Sequence, residues 1–245
     1  ERSRQDQVTS SHKPVLLLAP GLMCDATSWG PVPAMLSGID CRVVDHGMAD
    51  SLTQMARQLL AVAPERFALA GHSMGGRVAL EVVRRAPERV HHLALLDTGT
   101  HPLAGGVAGA KEKAGRKILL EIASQQGMRA MATQWARPMI HPARHDTPLF
   151  EAVVRMLERS NAEQFAAQIN ALLTRPDAGP VLPTIACPTL ALTGREDLWS
   201  PPEQHAEMAE AIKEAQLCIV EQCGHMSTLE QPEGVNAAFE KWLFP

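Results

Sequence analysis

Three residues in this chain have the types and settings that acyl transfer requires. Ser73 stands in FALAGHSMGGRVALEVVRRAP, where an apolar run meets Gly71-His72-Ser73-Met74-Gly75 and a helix-period pattern follows. Asp197 comes shortly after the apolar run in TLALTGREDLWSP, and His225 follows the one in IVEQCGHMSTLEQPE. A serine hydroxyl is a poor nucleophile at neutral pH. It needs a base to take its proton and an acid to orient that base. A serine at a sharp strand-to-helix turn also needs small neighbours two positions before and two after. There the hydroxyl stands out at the sheet edge, beside the first free N–H groups of the helix.

Each residue also has a plain structural reading. Glycine and serine crowd into turns for many reasons. Asp197 could cap a helix starting near Pro201, and His225 is one of 10 histidines. The conjunction favours chemistry: Ser73, Asp197 and His225 occur in the order nucleophile, acid, base, each just after a strand-like run.

The elements that would position them can be read from periodicity. Short, continuous apolar runs recur as PVLLLAPG, CRVVDHG, RFALAGHS, VHHLALLDTG, PTLALTGRED and AQLCIVEQCGH. Continuous apolarity marks parallel strands covered on both faces. Helix-period segments lie between most of them: Leu52 to Ala63, Met74 to Ala86, Pro201 to Glu214 and Glu230 to Leu243. This alternation predicts an α/β fold, a mostly parallel sheet of about six strands flanked by helices. Right-handed crossovers place the loops after the strands on one edge. From Thr100 to about Pro183 the alternation stops and apolar residues recur at helical spacing: Met128, Met131 and Trp135; Phe150, Val153, Val154 and Leu157; Phe165, Ile169, Leu172 and Leu173. The expected organisation is a flexible tail over residues 1–12, a core over 13–99 and 184–245, and a helical cap over 100–183 inserted between two strands.

Composition narrows the function classes. A net charge of −4 provides no basic field for nucleic acid or an anionic membrane. With 4% aromatics and no tyrosine, stacking platforms for single strands are not expected. The five cysteines contain no C-x-x-C pair, which argues against a disulfide framework or structural zinc and fits a cytoplasmic setting. The run Val15 to Ala19 is too short to span a membrane. The sequence does not bear on oligomeric state.

The segments GHSMGG, LTGREDLWSP and CGHMSTLEQPEGVNAAF resemble those of the α/β-hydrolase superfamily, in its serine esterase and lactonase-like branch, and the likeness runs from about Pro14 to the C-terminus. It implies Ser73 as nucleophile, His225 as general base and then acid, and Asp197 as the residue orienting His225. It also implies an oxyanion hole. Relatives commonly carry His-Gly after the first parallel strand; here APGLMCDATSW has Pro20-Gly21, with Trp29 downstream, so the donors would be the backbone N–H groups of Leu22 and Met74. Relatives often carry a hairpin ahead of that strand, whereas 13 residues precede Pro14 here, hence the trimmed sheet. Asp97, after HLALL, is the rival for the acid, because some relatives take theirs from that strand. His46 is expected to be structural, His101 to be a turn or pocket residue, and Cys24 and Cys223 to be packing residues. His141-x-x-x-His145 has metal-like spacing, but Pro142 interrupts it. Met23, Trp135, Met139 and Met226 are expected to line an adaptable substrate pocket, with core filling the alternative for the methionines.

The expected activity is hydrolysis of a small-molecule carboxylic ester, lactone or thioester through an acyl-serine intermediate, with no cofactor and no metal. A serine nucleophile argues against haloalkane dehalogenase or epoxide hydrolase chemistry, which uses an aspartate in this fold. Two alternatives stand beside it: a carbon–carbon bond hydrolase or lyase using the same three residues, and a ligand sensor of the same fold with little turnover.

Overall fold

The computed structural model describes residues 12–245. The tail expected over residues 1–12 therefore lies outside the described residues, apart from His12. The six apolar runs form the strands β1 (Val15–Ala19), β2 (Asp40–Val43), β3 (Phe67–His72), β4 (Val90–Leu96), β5 (Thr189–Gly194) and β6 (Ala215–Val220). They make one sheet of order β2-β1-β3-β4-β5-β6, with every pairing parallel. The helices, in chain order, are α1 (Val32–Met35), α2 (Leu52–Val62), α3 (Met74–Arg85), α4 (Gly106–Gln126), α5 (Met128–Met139), α6 (Pro148–Glu158), α7 (Ala162–Leu173), α8 (Pro202–Ala211), α9 (Ser227–Glu230) and α10 (Pro232–Leu243). Among the described residues no helix is long and apolar enough to cross a membrane.

The inner strands β1, β3 and β5 are apolar at nearly every position because the sheet is covered on both faces there, while the edge strands β2 and β6 are partly exposed and carry Asp40, Arg42 and Gln216. Successive side chains alternate between two cores, as the strand period of two requires. Leu17, Ala19, Leu69, Leu93 and Leu95 belong to one, with Met55 and Leu59 of α2 and Val78 and Val82 of α3. Leu16, Leu18, Ala68, Ala70, Ala94, Leu96, Leu190 and Leu192 belong to the other, with Trp29, Val32 of α1, and Phe239 and Trp242 of α10.

Two helical expectations are sharpened. The segment expected from Pro201 ends at Ala211, because β6 begins at Ala215 and the chain must turn between them. The expected Glu230–Leu243 helix is two pieces broken at Gln231, whose dihedrals are non-helical (φ −139°, ψ 61°). Pro232 explains the break, since a proline disfavours helical backbone in the residue before it. Between β4 and β5 the chain makes α4 to α7 and no strand. Of these, α4 buries only Gly109 and Ala123 and is mostly exposed.

Chain order outruns sheet order at one place. After β1 the chain steps outward to β2 and then returns to β3 on the other side of β1. Such a switch point opens a crevice at the carboxyl ends of the two strands. Leu22 follows β1 and Ser73 follows β3. Leu69, fully buried at the centre of β3, tests the packing that holds this crevice. Leu69→Ala is expected to lower stability by about 3 kcal/mol, the range for a leucine truncated in a close-packed core. Urea unfolding reads this directly, and a loss below about 1 kcal/mol would mean that β3 is not packed as described.

Candidate active site

Ser73 occupies a backbone conformation that costs energy. Its φ is 55° and its ψ −119°, between the end of β3 and the first residue of α3. A serine does not adopt this region readily, so the neighbourhood must impose it. Its N–H donates to the Leu96 carbonyl at 2.9 Å, and its own carbonyl accepts from the Thr98 hydroxyl at 2.6 Å and the Gly76 N–H at 2.9 Å. The flanking glycines have the task expected of them. A Cβ on Gly71 would lie 2.2 Å from the Gly75 oxygen, and one on Gly75 would lie 1.9 Å from the Ala19 oxygen. A third glycine matters as well, since a Cβ on Gly76 would strike the Thr98 side chain at 2.5 Å.

The three sequence-selected residues converge. His225 Nε2 lies 2.9 Å from Ser73 Oγ, and His225 Nδ1 lies 2.9 Å from Asp197 Oδ2. An ionised carboxylate only accepts, so Nδ1 carries the imidazole proton and Nε2 faces the serine as an acceptor. Asp197 is almost fully buried, yet its other oxygen accepts from the Trp199 and Ser200 N–H groups, each at 3.0 Å. Burial acts to raise its pKa, but the facing His225 and these donors outweigh it and hold the carboxyl at about 2. His225 is fixed from its own backbone, whose N–H donates to the Met139 carbonyl at the end of α5 at 2.8 Å.

Asp97 sits behind this relay. It too is fully buried and has a positive φ of 49°. It accepts from the Ser227 hydroxyl and, at 3.2 Å, from the Gly194 N–H. Thr193 lies between the two aspartates, its hydroxyl 3.3 Å from an oxygen of each. Burial first, and then the charge of Asp197, push Asp97 well above the usual carboxylate range. Of the two candidate acids, Asp197 is therefore the one bonded to the imidazole, and Asp97 is a neighbour held toward its neutral form. Among the described residues, Asp97, Asp197 and His225 are also the one trio of metal-ligand types close enough to share an ion, with donor atoms within 4.8 Å of one another. The same atoms are engaged in these hydrogen bonds.

The loop after β1 closes the other side. A Cβ on Gly21 would stand 3.2 Å from Ser73 Cβ. His46, expected to be structural, donates from Nε2 to the Pro20 carbonyl at 2.9 Å and so anchors this loop. The N–H groups of Leu22 and Met74 flank Ser73 and donate to no acceptor among the described residues. His141 and His145 satisfy local backbone, His141 Nδ1 accepting from the Ala143 N–H and His145 Nε2 donating to the Ile140 carbonyl. Burial pushes the Cys24 thiol up to about 12 and raises that of Cys223 further.

A cavity of about 1030 Å³ opens above Ser73 and His225. Leu22, Trp135 and His101 border it, as do residues of α4, α5 and α7. The methionine expectation is corrected: Met23, Met139 and Met226 are not among the bordering side chains but lie buried in the core. Trp199 was not singled out by sequence, although it stands two residues after Asp197. It packs edge-on against His225 with ring centroids 4.9 Å apart and stacks on Trp135 at 5.4 Å. Glu230 likewise gave no signal, yet its buried carboxylate accepts from the N–H groups of Gly224, Met226 and His141 and shapes the loop that carries His225.

Comparison with known proteins agrees with this architecture. A family model described as the alpha/beta hydrolase family matches residues 16–238. A Rhizobium rhizogenes protein, provisionally named a carbamate hydrolase, is 26% identical, the match covering 93% of this chain and 92% of that protein. A Klebsiella pneumoniae hydrolase of 2-hydroxy-6-oxononadienedioate and 2-hydroxy-6-oxononatrienedioate is 26% identical, with 88% of this chain and 73% of that protein covered. Among solved structures, a thermophilic esterase from Thermogutta terrifontis superposes with a TM-score of 0.81 at 28% identity, covering 94% of this chain and 89% of that one.

Two outcomes test the local geometry. Gly75→Ala is expected to destabilise the protein by more than about 3 kcal/mol, since its methyl would meet backbone that cannot yield; an unchanged unfolding midpoint would contradict the turn. The second concerns His205, whose Nε2 accepts from the Thr98 N–H at 3.1 Å while Nδ1 donates to the Pro201 carbonyl. Burial lowers its pKa to about 4, below the unfolded value of about 6.5. The unfolded chain thus takes up this proton first, so the native state loses stability as pH falls from about 6.5 to about 4. His205→Gln removes that component and leaves Asp97 and His72 in place. Its urea midpoint should fall less than the wild-type midpoint between pH 7 and pH 4.5, and equal falls would refute the assignment.

Proposed function

This chain belongs to the alpha/beta hydrolase family, and on that premise we propose that it cleaves a small-molecule carboxylic ester through an acyl-serine intermediate. The observation that carries the reading is the continuous Ser73–His225–Asp197 relay, with both contacts at 2.9 Å. In this reading Ser73 Oγ attacks the ester carbonyl as His225 Nε2 takes its proton. The proton then passes to the leaving alkoxide, giving the alcohol and the acyl-serine. Water enters, gives a proton to the same nitrogen and attacks the acyl carbonyl, and His225 returns the proton to Ser73. Asp197 keeps the imidazole in the required tautomer and stabilises the imidazolium. The unoccupied donors of Leu22 and Met74 receive the oxyanion, each worth about 3 kcal/mol of barrier in sites of this type. The edge-on Trp199 shields the imidazole from bulk water. Residues 100–183 act as the cap, since α4, α5 and α7 contribute much of the cavity wall.

A second reading, carbon–carbon bond hydrolysis with the same residues, is favoured by the Klebsiella pneumoniae relative. Assay of p-nitrophenyl esters beside a vinylogous diketone separates the two, and ester turnover alone is expected.

Ser73→Ala is expected to fold as the wild type and lose at least 10³-fold in kcat on short p-nitrophenyl esters, the scale for removing such a nucleophile being about 10⁶. Near-wild-type turnover by that variant would overturn the reading. The two aspartates should separate sharply. Asp197→Asn is expected to lower kcat by about 10³–10⁴-fold through the wrong imidazole tautomer. Asp97→Asn replaces a carboxyl already held toward neutrality, and a loss below about tenfold is expected, well under the scale of a relay member. Equal losses in steady-state kinetics would contradict the division of roles.

A further inference from the structure

The cavity above Ser73 holds a second locus that the relay does not use, and we propose that it binds a carboxylate carried by the substrate. The preferred ester is then a half-ester of a short dicarboxylic acid. This specificity rests on the serine-hydrolase reading for where the scissile carbonyl sits.

Arg77, Arg116, Arg175 and Lys111 border the cavity, and Glu112 is the one carboxylate among its bordering residues. Glu112 is already shared. Arg175 reaches it with two nitrogens at 2.8 and 3.0 Å, and Arg116 Nε reaches it at 3.1 Å. Burial acts to raise the Glu112 pKa, but these two guanidinium groups prevail and hold it at about 2. Among the described residues Arg77 has no carboxylate partner. Its Nη1 donates to the His101 carbonyl at 2.8 Å, and the same oxygen accepts from Arg175 Nε at 2.9 Å. Two guanidinium groups thus converge on one neutral acceptor. Burial and then the charge of Arg175 bring the Arg77 pKa down to about 9.

Arg77 ties the loop after β4 to α3 and Arg175 ties it to the end of α7, and the two bring like charges onto one oxygen. Packing cations together away from water is unfavourable unless an anion joins them. The excess is local, since the chain as a whole carries −4. A guanidinium fork matches a carboxylate in shape and can bind it through two parallel hydrogen bonds. Gly99 keeps the space beside the fork open, since a Cβ there would lie 2.9 Å from Arg77 Nη2.

Arg77 follows Ser73 by four residues at the start of α3, and both border the same cavity. An acyl group held at Ser73 and an anion held at Arg77 can therefore belong to one small molecule, and a short dicarboxylic half-ester such as that of glutarate is the probe of this arrangement.

The test compares the mono-p-nitrophenyl ester of glutaric acid with p-nitrophenyl butyrate. The wild-type protein is expected to favour the acidic ester by at least tenfold in kcat/KM. Arg77→Gln should reduce that ratio at least tenfold, and Arg77→Lys should reduce it less. Arg116→Gln serves as the second variant if Arg77→Gln does not fold by circular dichroism. Binding of glutarate to Ser73→Ala, followed by calorimetry, reads the site without turnover. It should weaken at least tenfold when Arg77→Gln is added and should weaken with added salt. Equal use of both esters, with no glutarate binding to Ser73→Ala, would overturn the carboxylate site and leave the hydrolase reading standing. Arg77-dependent glutarate binding without turnover of either ester would support the site and count against the hydrolase reading.

Discussion

The site depends on one close approach. At Ser73 the chain leaves β3 and enters α3 with a positive φ, and this turn is possible because Gly71, Gly75 and Gly76 let backbone meet backbone and the Thr98 side chain. The strain is over-determined from outside: the Leu96 carbonyl receives the serine N–H and Thr98 binds the serine carbonyl. Strain held in this way is characteristic of residues whose side chain must stand in a fixed, exposed place. Because β1 and β4 flank β3, the same turn brings the Leu22 loop and the Asp97 loop against the serine. The geometry of the whole crevice follows from it.

A layer of buried polar groups beneath the relay keeps it in register. Asp197 orients the imidazole, while Asp97, Thr193 and Ser227 form a lattice behind it. Two carboxyls so close cannot both ionise easily, and the environment separates them. Asp197 has two N–H donors and the imidazole; Asp97 is more deeply desolvated and moves toward its neutral form. His72 adds to the same layer, donating from Nε2 to the His225 carbonyl at 2.7 Å, with burial lowering its pKa to about 4. On the far side, Glu230 binds three backbone N–H groups and joins the His225 loop to the segment after α5. The helical insertion and the His225 loop are thereby mechanically linked.

Much of this was legible in the sequence, for identifiable reasons. The inner strands announced themselves because doubly covered strands are apolar at nearly every position, and the edge strands β2 and β6 showed only as shorter apolar stretches beside Asp40, Arg42 and Gln216. Ser73, Asp197 and His225 were legible because loops after parallel strands gather on one edge, and the close neighbours of Ser73 had to be glycines. Other features were not. The helix α4 has an apolar stripe too thin to mark its ends, and only Gly109 and Ala123 in it are buried. Met23 and Met226, beside Leu22 and His225, suggested a pocket by proximity in sequence, yet they fill the core. The cluster of Arg77, Glu112, Arg116 and Arg175 is scattered over a long stretch of chain, and only the packing of α3 against the insertion brings it together. Trp199 had a neighbouring signal in Asp197, but its edge-on contact with the imidazole is a property of the folded loop.

The central claim is that Ser73 is a nucleophile made reactive by His225. It is tested most directly by treating the protein with a fluorophosphonate and mapping the modified peptide by mass spectrometry. One phosphonyl group per chain, carried on Ser73 and gained in step with the loss of esterase activity, is the predicted result. Modification at another residue, or full activity with Ser73 unmodified after exhaustive treatment, would contradict it.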